Sequence, residues 1–174
     1  YPYLSSSANH IFDITVGYAN SSNLSASANA QNAKKINLYN QMAQLLVGHD
    51  VTGNIRLFDQ DGDLTAGNKM REVFFVNYAR LLNKDEVKKG SYSISFLTGG
   101  TNLAAGRANL MSIADHNAQN EFRINSPAGE YGILYTSSAA PNSTSGVGHI
   151  YYQAGIAVLT ASIFGDMRVT IPGG

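Results

Sequence analysis

The chain has 174 residues, 44% of them apolar, which is enough for one domain with a hydrophobic core. Twelve Lys and Arg residues balance twelve Asp and Glu residues, so the charge pattern gives no footprint for a nucleic-acid backbone or an anionic membrane. Cysteine is absent, which excludes disulfides, thiolate zinc sites and cysteine nucleophiles.

Targeting signals are not recognisable in the sequence. No run of about 18 apolar residues is present, and the N-terminus has neither the basic start nor the apolar centre of a signal peptide. Because the first residue is Tyr1 and not Met, we expect a processed chain or a fragment.

The first part of the chain predicts an arm, a strand and a helix. Residues 1–9 predict an extended N-terminal arm, because Pro2 opposes helix formation and three consecutive serines offer little to bury. Strict alternation over residues 10–18 predicts a half-buried strand whose even-numbered side chains form the apolar face. Apolar residues at helical spacing predict an α-helix at roughly 33–47, with Gly48 as its C-terminal cap.

Residues 59–63 (DQDGD) alternate aspartates around a glycine, a pattern that suggests a calcium loop. An EF-hand loop beginning at Asp59 requires Gly at its sixth position and Glu at its twelfth, where this chain has Leu64 and Met70. We therefore interpret these residues as a turn between two strands, with Asp-Gly supplying positive φ angles. A metal site is the less favoured alternative.

The second half of the chain predicts a series of strands. Residues 70–82 are apolar on both faces at their centre, as in an interior strand, and a charged turn joins them to an alternating strand over 91–97, giving a plausible antiparallel pair. The most apolar segment, residues 146–164, is divided by Gly155 into the two strands of a buried hairpin. Shorter strands are predicted at 109–114, 122–125, 133–136 and 167–171.

Many short strands and one helix predict a mainly β fold. The expected architecture is an antiparallel β-sandwich of about eight or more strands with one flanking α-helix (roughly 33–47). Residues 1–9 would form the arm and residues 10–174 a single β-rich domain.

No catalytic constellation is recognisable in the sequence. The four histidines are scattered, with no pair spaced by four residues, and the serine pattern of a nucleophile elbow is missing. The acids Asp115, Glu121 and Glu130 lie in or beside predicted loops, and no pair of them stands out for glycoside hydrolysis. We therefore predict no catalytic, cofactor-binding or metal-binding residues, and no enzyme.

Aromatic residues are the candidates for protein contacts. Tyr151 and Tyr152 occupy successive positions of the central hairpin and must face opposite sides, so we expect one in the core and the other at an interface. Together with the arm residues Tyr1, Tyr3 and Leu4, they form the set of interface candidates.

Three segments carry a resemblance to a known family. They are residues 85–93 (DEVKKGSYS), Asp115 at the end of a strand, and residues 148–160 (GHIYYQAGIAVLT). Together they resemble a module in virion structural proteins of large contractile-tailed bacteriophages, in which an aromatic strand leads through a Lys-Lys-Gly-Ser turn to another strand. A Gly-x-Ile-Tyr-Tyr-x-x-Gly-Ile-x-Val-Leu hairpin ends that module. The resemblance covers residues 73–164, half of the chain.

The resemblance implies a structural subunit of a tail, baseplate or neck, assembled in the bacterial host cytoplasm. Its partners would be copies of itself and neighbouring virion proteins, without nucleic acid, membrane or small-molecule substrate. The absence of cysteine agrees with assembly in a reducing compartment. The alternatives are a carbohydrate- or receptor-binding β-sandwich of a fibre or surface protein, and a hydrolase, which needs two titratable groups converging in one cleft.

Overall fold

The computed structural model describes residues 12–26, 30–78, 85–97, 110–136 and 145–164. The helices are α1 (Ala30–Leu46) and the short α2 (Ala118–Glu121), with 3-10 turns at Asn23–Ala26 and Ala161–Phe164. The strands are β1 (Asp13–Tyr18), β2 (Phe58–Asp59), β3 (Lys69–Met70), β4 (Glu72–Asn77), β5 (Ser93–Leu97), β6 (Leu110–Ala114), β7 (Tyr131–Thr136), β8 (Gly148–Tyr151) and β9 (Ile156–Thr160).

Seven of these strands form one curled antiparallel sheet in the order β1-β4-β9-β8-β7-β6-β5, and β2 pairs with β3 in a separate hairpin. The predicted mainly β, antiparallel class with one long flanking helix is confirmed. None of the helices in the described ranges is long and apolar enough to cross a membrane.

The sheet is covered on both faces, which the alternation of β9 makes clear. Ile156 and Val158 enter one cluster of buried residues, whereas Ala157 and Leu159 enter another. The first core contains Ala19, Tyr39, Ala43, Leu46, Val47, Phe58, Met70, Val73, Phe75, Tyr131, Tyr151, Ile156 and Val158. The second core contains Val76, Tyr92, Ile113, Ala118, Leu134, Val147, Ile150, Tyr152, Ala157 and Leu159.

Helix α1 packs closely on the first core because strand β1 has a glycine beneath it. A Cβ atom at Gly17 would lie 3.2 Å from the Tyr39 Cα atom and 2.9 Å from the Phe75 ring. The Tyr39 hydroxyl donates to the Met70 carbonyl (2.8 Å) and accepts the Phe58 N–H (3.2 Å), which fixes the β2–β3 hairpin to the helix. The helix begins three residues before the predicted start, and Gly48 has the positive φ of 74° expected of a cap.

Two predictions about the strands are wrong. Strands β4 and β5 do not pair, because β9 is the neighbour of β4 and β6 is the neighbour of β5. Most of residues 122–125 are not a strand; they follow α2, and only Arg123 forms an isolated bridge, with Tyr131. The arm at residues 1–9 and the strand predicted at 167–171 lie outside the described residues.

Candidate functional site

Both tyrosines of the central hairpin are buried within the chain. Tyr151 lies in the first core, where its ring stacks on Tyr131 with centroids 4.8 Å apart. Tyr152 lies in the second core and donates its hydroxyl proton to Asp115 Oδ2 (3.2 Å). The two side chains do face opposite sides of the sheet, but both sides are covered, so neither is exposed to another subunit. The expectation that one of them is an interface residue is corrected here.

The other three interface candidates, Tyr1, Tyr3 and Leu4, lie outside the described residues. Their role in protein contacts stays a prediction.

Two exposed apolar side chains lie at the start of the edge strand β1: Phe12 directly precedes the strand and Ile14 lies within it. Phe12 is 43% exposed and Ile14 is 49% exposed, although both belong to the face that the alternation predicts as buried. Helix α1 packs on the opposite face at Gly17, which leaves this face uncovered at the start of the strand. The Phe12 ring contacts the Tyr78 ring, with centroids 5.7 Å apart. We call Phe12 and Ile14 the β1 surface.

The second candidate site is the aspartate loop (residues 59–68), which lies within the β2–β3 hairpin. Its ends form a two-residue antiparallel pair, so the predicted turn between two strands is confirmed. Gly62 and Gly67 take positive φ angles there, and Leu64 is the one non-glycine residue with positive φ among those described.

The carboxylates of Asp59, Asp61 and Asp63 converge in this loop, each offering an oxygen within 4.8 Å of the others. Each carboxylate also accepts a backbone N–H, which bends the loop around them: Leu64 to Asp59 Oδ2 (3.0 Å), Asp63 to Asp61 Oδ1 (3.3 Å) and Thr65 to Asp63 Oδ1 (2.7 Å). Such a group of hard oxygen donors could hold a cation.

The three carboxylates differ in burial and charge state. Asp59 is fully buried and forms an ion pair with Lys69 through Oδ2 (2.9 Å), whereas Asp63 is exposed. Burial raises the pKa of Asp59, although the bond to Lys69 opposes this shift. Hydrogen bonds from Thr65, first of all from its backbone N–H, lower the pKa of Asp63. The loop therefore combines a buried carboxylate with a readily ionised one.

Side chains outside the aspartate loop hold it in place through hydrogen bonds to its backbone carbonyl groups. The Tyr131 hydroxyl lies 2.9 Å from the Gly62 carbonyl oxygen, and the Asn125 amide donates to the same carbonyl (3.0 Å). Arg123 Nη2 donates to the Asp61 carbonyl (3.3 Å). Because the backbone is fixed in this way, the aspartate side chains are presented from a defined scaffold.

The acids considered for hydrolysis are engaged separately. Asp115 accepts from Gly90 N–H, Tyr92 N–H and the Tyr152 hydroxyl. Glu121 accepts the Tyr135 hydroxyl (2.6 Å), and Glu130 pairs with Lys89. Groups of at least three converging His, Asp or Glu ligands in the described ranges are confined to the aspartate loop.

The histidines do not form a common site in the part of the chain that is described. His149 is fully buried, and its ring lies 4.9 Å from the Tyr131 ring centroid. Burial lowers the pKa of His149 to about 3, so the imidazole is neutral near pH 7. His49 and His116 are exposed, and His10 lies outside the described residues.

Sequence reasoning located the aspartate loop but missed the convergence of its carboxylates. The signal that could have indicated the cluster is the i, i+2, i+4 spacing of the aspartates directly after the apolar residues Leu57 and Phe58, which carry the first carboxylate into the core.

Comparisons with known proteins give no match: no family model, no curated protein and no solved structure is significantly similar to this chain.

Proposed function

We propose that this chain is a structural subunit that acts through protein–protein contacts, as a tail, baseplate or neck component of a tailed-phage virion. The observation that carries the assembly role is the β1 surface, where Phe12 and Ile14 are exposed at the start of an edge strand. The resemblance of residues 85–93, Asp115 and residues 148–160 to the phage module supports the virion context.

Edge geometry supports the contact role. Strand β1 ends the sheet order, and none of the other described strands pairs with its outer side. An edge strand offers N–H and C=O groups to a strand of another chain, and exposed apolar side chains beside it add burial on association. We assign the β1 surface to a second copy of this chain. The predicted contact residues Tyr1, Tyr3 and Leu4 precede β1 directly in the sequence.

Side-chain chemistry favours this proposal over the hydrolase. A hydrolase needs titratable groups converging on one cleft, and Asp115, Glu121 and Glu130 are instead occupied by separate hydrogen bonds or an ion pair. Their arrangement stabilises the fold.

The carbohydrate-binding alternative needs exposed aromatic rings. Most tyrosines of the described ranges lie inside the chain, and Tyr78 is half-buried. The buried ones are Tyr18, Tyr39, Tyr92, Tyr131, Tyr135, Tyr151 and Tyr152. This distribution supports core packing as their role and an assembly subunit as the function.

The assembly role is tested by substituting Ile14→Lys and, as a matched control, Val51→Lys. Val51 is fully exposed in a loop outside the sheet, so its substitution adds the same charge without altering the β1 surface. Sedimentation velocity over a concentration series should show self-association of the unchanged protein. Ile14→Lys should weaken it about tenfold, because a charge must be desolvated at the contact.

Two results would refute the self-contact at β1. One is a monomer at every concentration, and the other is equal association of the Ile14→Lys and Val51→Lys variants. The virion context has its own test: mass spectrometry of purified phage particles that encode the chain should detect it at the stoichiometry of a structural protein, and its absence from the particles would exclude that context.

A further inference from the structure

We propose that the aspartate loop binds a calcium ion through the carboxylates of Asp59, Asp61 and Asp63. The inference does not depend on the assembly role, because it rests on the geometry of the β2–β3 hairpin and not on the β1 surface.

The decisive observation is an unpartnered oxygen inside the protein. Asp59 is fully buried, and its Oδ1 atom has no hydrogen-bond partner among the described residues. A buried carboxylate oxygen without a partner carries a substantial desolvation cost, so native proteins nearly always satisfy such an atom. A bound cation satisfies it directly.

The unpartnered oxygen borders the same side of the loop as an oxygen of Asp61. A Cβ atom at Gly67 would lie 3.7 Å from Asp59 Oδ1 and also 3.7 Å from Asp61 Oδ2, so both oxygens border the same side of the loop. Convergence within 4.8 Å brings an Asp63 oxygen to the same place. The buried oxygen therefore lies on the side of the loop where an Asp61 oxygen also lies, beside the converging carboxylates.

The charge of the loop matches a divalent cation. Among the described residues the three carboxylates are accompanied by one contacting ammonium, that of Lys69, which pairs with Asp59 Oδ2 and leaves Oδ1 free of hydrogen bonds. Arg123 also approaches, but its described hydrogen bonds go to the carbonyls of Asp61 and Glu121 and not to a carboxylate. When all three carboxylates are ionised, three negative charges face one contacting positive charge, which leaves a net charge of −2.

The chemistry of the ligands selects calcium. The group offers only carboxylate oxygens, the donors that Ca²⁺ prefers, and it has no His or Cys ligand of the kind that favours Zn²⁺. Oxygens at Ca²⁺ distances of about 2.3–2.6 Å can be up to about 5 Å apart across the ion, so the 4.8 Å limit lies within reach of one Ca²⁺. Mg²⁺ demands a near-ideal octahedron and keeps several waters, so it is seldom held by a group of protein carboxylates alone.

The test uses the full chain after treatment with a chelator. Titration with CaCl₂ should raise the melting temperature by about 5 °C near saturation, because binding to the folded state alone stabilises it. Tb³⁺ provides a second probe: Tyr131 lies against the loop at Gly62, and the chain lacks tryptophan, so tyrosine excitation should produce Tb³⁺ emission that Ca²⁺ removes.

Two variants locate the ion. Asp63→Asn keeps an oxygen to accept the Thr65 N–H but removes a charge, and it should weaken Ca²⁺ binding at least tenfold. Asp50→Asn is the matched control, because Asp50 accepts Thr52 and Asn54 N–H bonds in an exposed turn outside the loop. It should bind Ca²⁺ like the unchanged protein.

The proposal is overturned by any of three results. They are an unchanged melting temperature with no Tb³⁺ emission in the unchanged protein, equal Ca²⁺ affinity of Asp63→Asn and Asp50→Asn, and an equal melting shift with the same concentration of MgCl₂. If Asp63→Asn does not fold, Asp61→Asn takes its place, and the chelated and Ca²⁺-loaded unchanged protein still decides whether binding occurs.

Discussion

Asp59 and Asp115 are both buried aspartates at the end of a strand, yet their surroundings differ. Asp115 accepts Tyr92 N–H at Oδ1 (3.0 Å), and Gly90 N–H (2.7 Å) and the Tyr152 hydroxyl (3.2 Å) at Oδ2. Asp59 is satisfied at Oδ2 only. The protein can bury a carboxylate completely with its own donors, so the incomplete shell of Asp59 indicates an external ligand.

Asp115 also joins two segments that are distant in the sequence. Gly90 and Tyr92 belong to residues 85–93, and Tyr152 belongs to residues 148–160, so these two segments meet at the Asp115 carboxylate. The Lys-Lys-Gly-Ser part is a turn closed by the bond from Ser91 N–H to the Lys88 carbonyl (3.1 Å). Asp115 therefore holds the two segments together through its hydrogen bonds.

Removal of the fully hydrogen-bonded Asp115 carboxylate should have the largest effect. Asp115→Ala leaves three donors without their acceptor in the second core, so we expect the free energy of unfolding to fall by about 4 kcal/mol. Urea denaturation should show the same loss in chelator and in Ca²⁺. Asp115→Asn keeps one acceptor oxygen and serves as the milder control; a loss below about 1 kcal/mol for the alanine variant would contradict the structural role.

Substitution of Asp59, whose carboxylate is hydrogen-bonded at one oxygen only, should have an effect that depends on Ca²⁺. Asp59→Asn retains an oxygen for the Leu64 N–H, so we expect a loss of roughly 1 kcal/mol in chelator. In saturating Ca²⁺ the difference from the unchanged protein should grow to about 3 kcal/mol, because only the unchanged protein gains the binding energy. Paired urea titrations measure both values. An equal difference in the two conditions would remove the contrast between Asp59 and Asp115.

The elements that the sequence predicts well are those with a strong local pattern. The hairpin β8–β9 and helix α1 follow from runs of β-branched residues and from helical spacing. The partner of β4 was not predictable, because pairing with β9 joins residues about eighty positions apart. The exposure of Ile14 was also missed, since it depends on α1 occupying the Gly17 face and not on the strand's own alternation.

The candidate site shows the same limit. The sequence predicted the turn at residues 59–63, whose Asp-Gly pair supplies positive φ, but not the meeting of its side chains. That meeting also depends on Leu64 at positive φ and on Tyr131, from a strand about seventy residues later, which holds the Gly62 carbonyl. Long-range anchoring of this kind leaves no local pattern.

His149 is a third buried titratable group, and unlike the two aspartates it is accommodated in the interior as a neutral side chain. Its Nε2 atom has no hydrogen-bond partner among the described residues, and burial lowers its pKa from 6.5 to about 3. Between these pH values the unfolded chain binds a proton that the folded chain does not. Keeping His149 neutral therefore costs no unfolding free energy above pH 6.5, and the cost grows as the pH falls towards 3.

From pH 7 to pH 5 this linkage should cost the unchanged protein roughly 2 kcal/mol of unfolding free energy. His149→Phe keeps a ring against Tyr131 and should lose that part of the pH dependence, whereas the exposed-histidine control His116→Gln should keep it. Urea titrations in chelator at both pH values isolate the effect from metal binding. Parallel pH profiles for His149→Phe and the unchanged protein would show that burial does not hold the imidazole neutral. The contrast between His149, buried as a neutral group, and the buried carboxylate of Asp59 would then be lost.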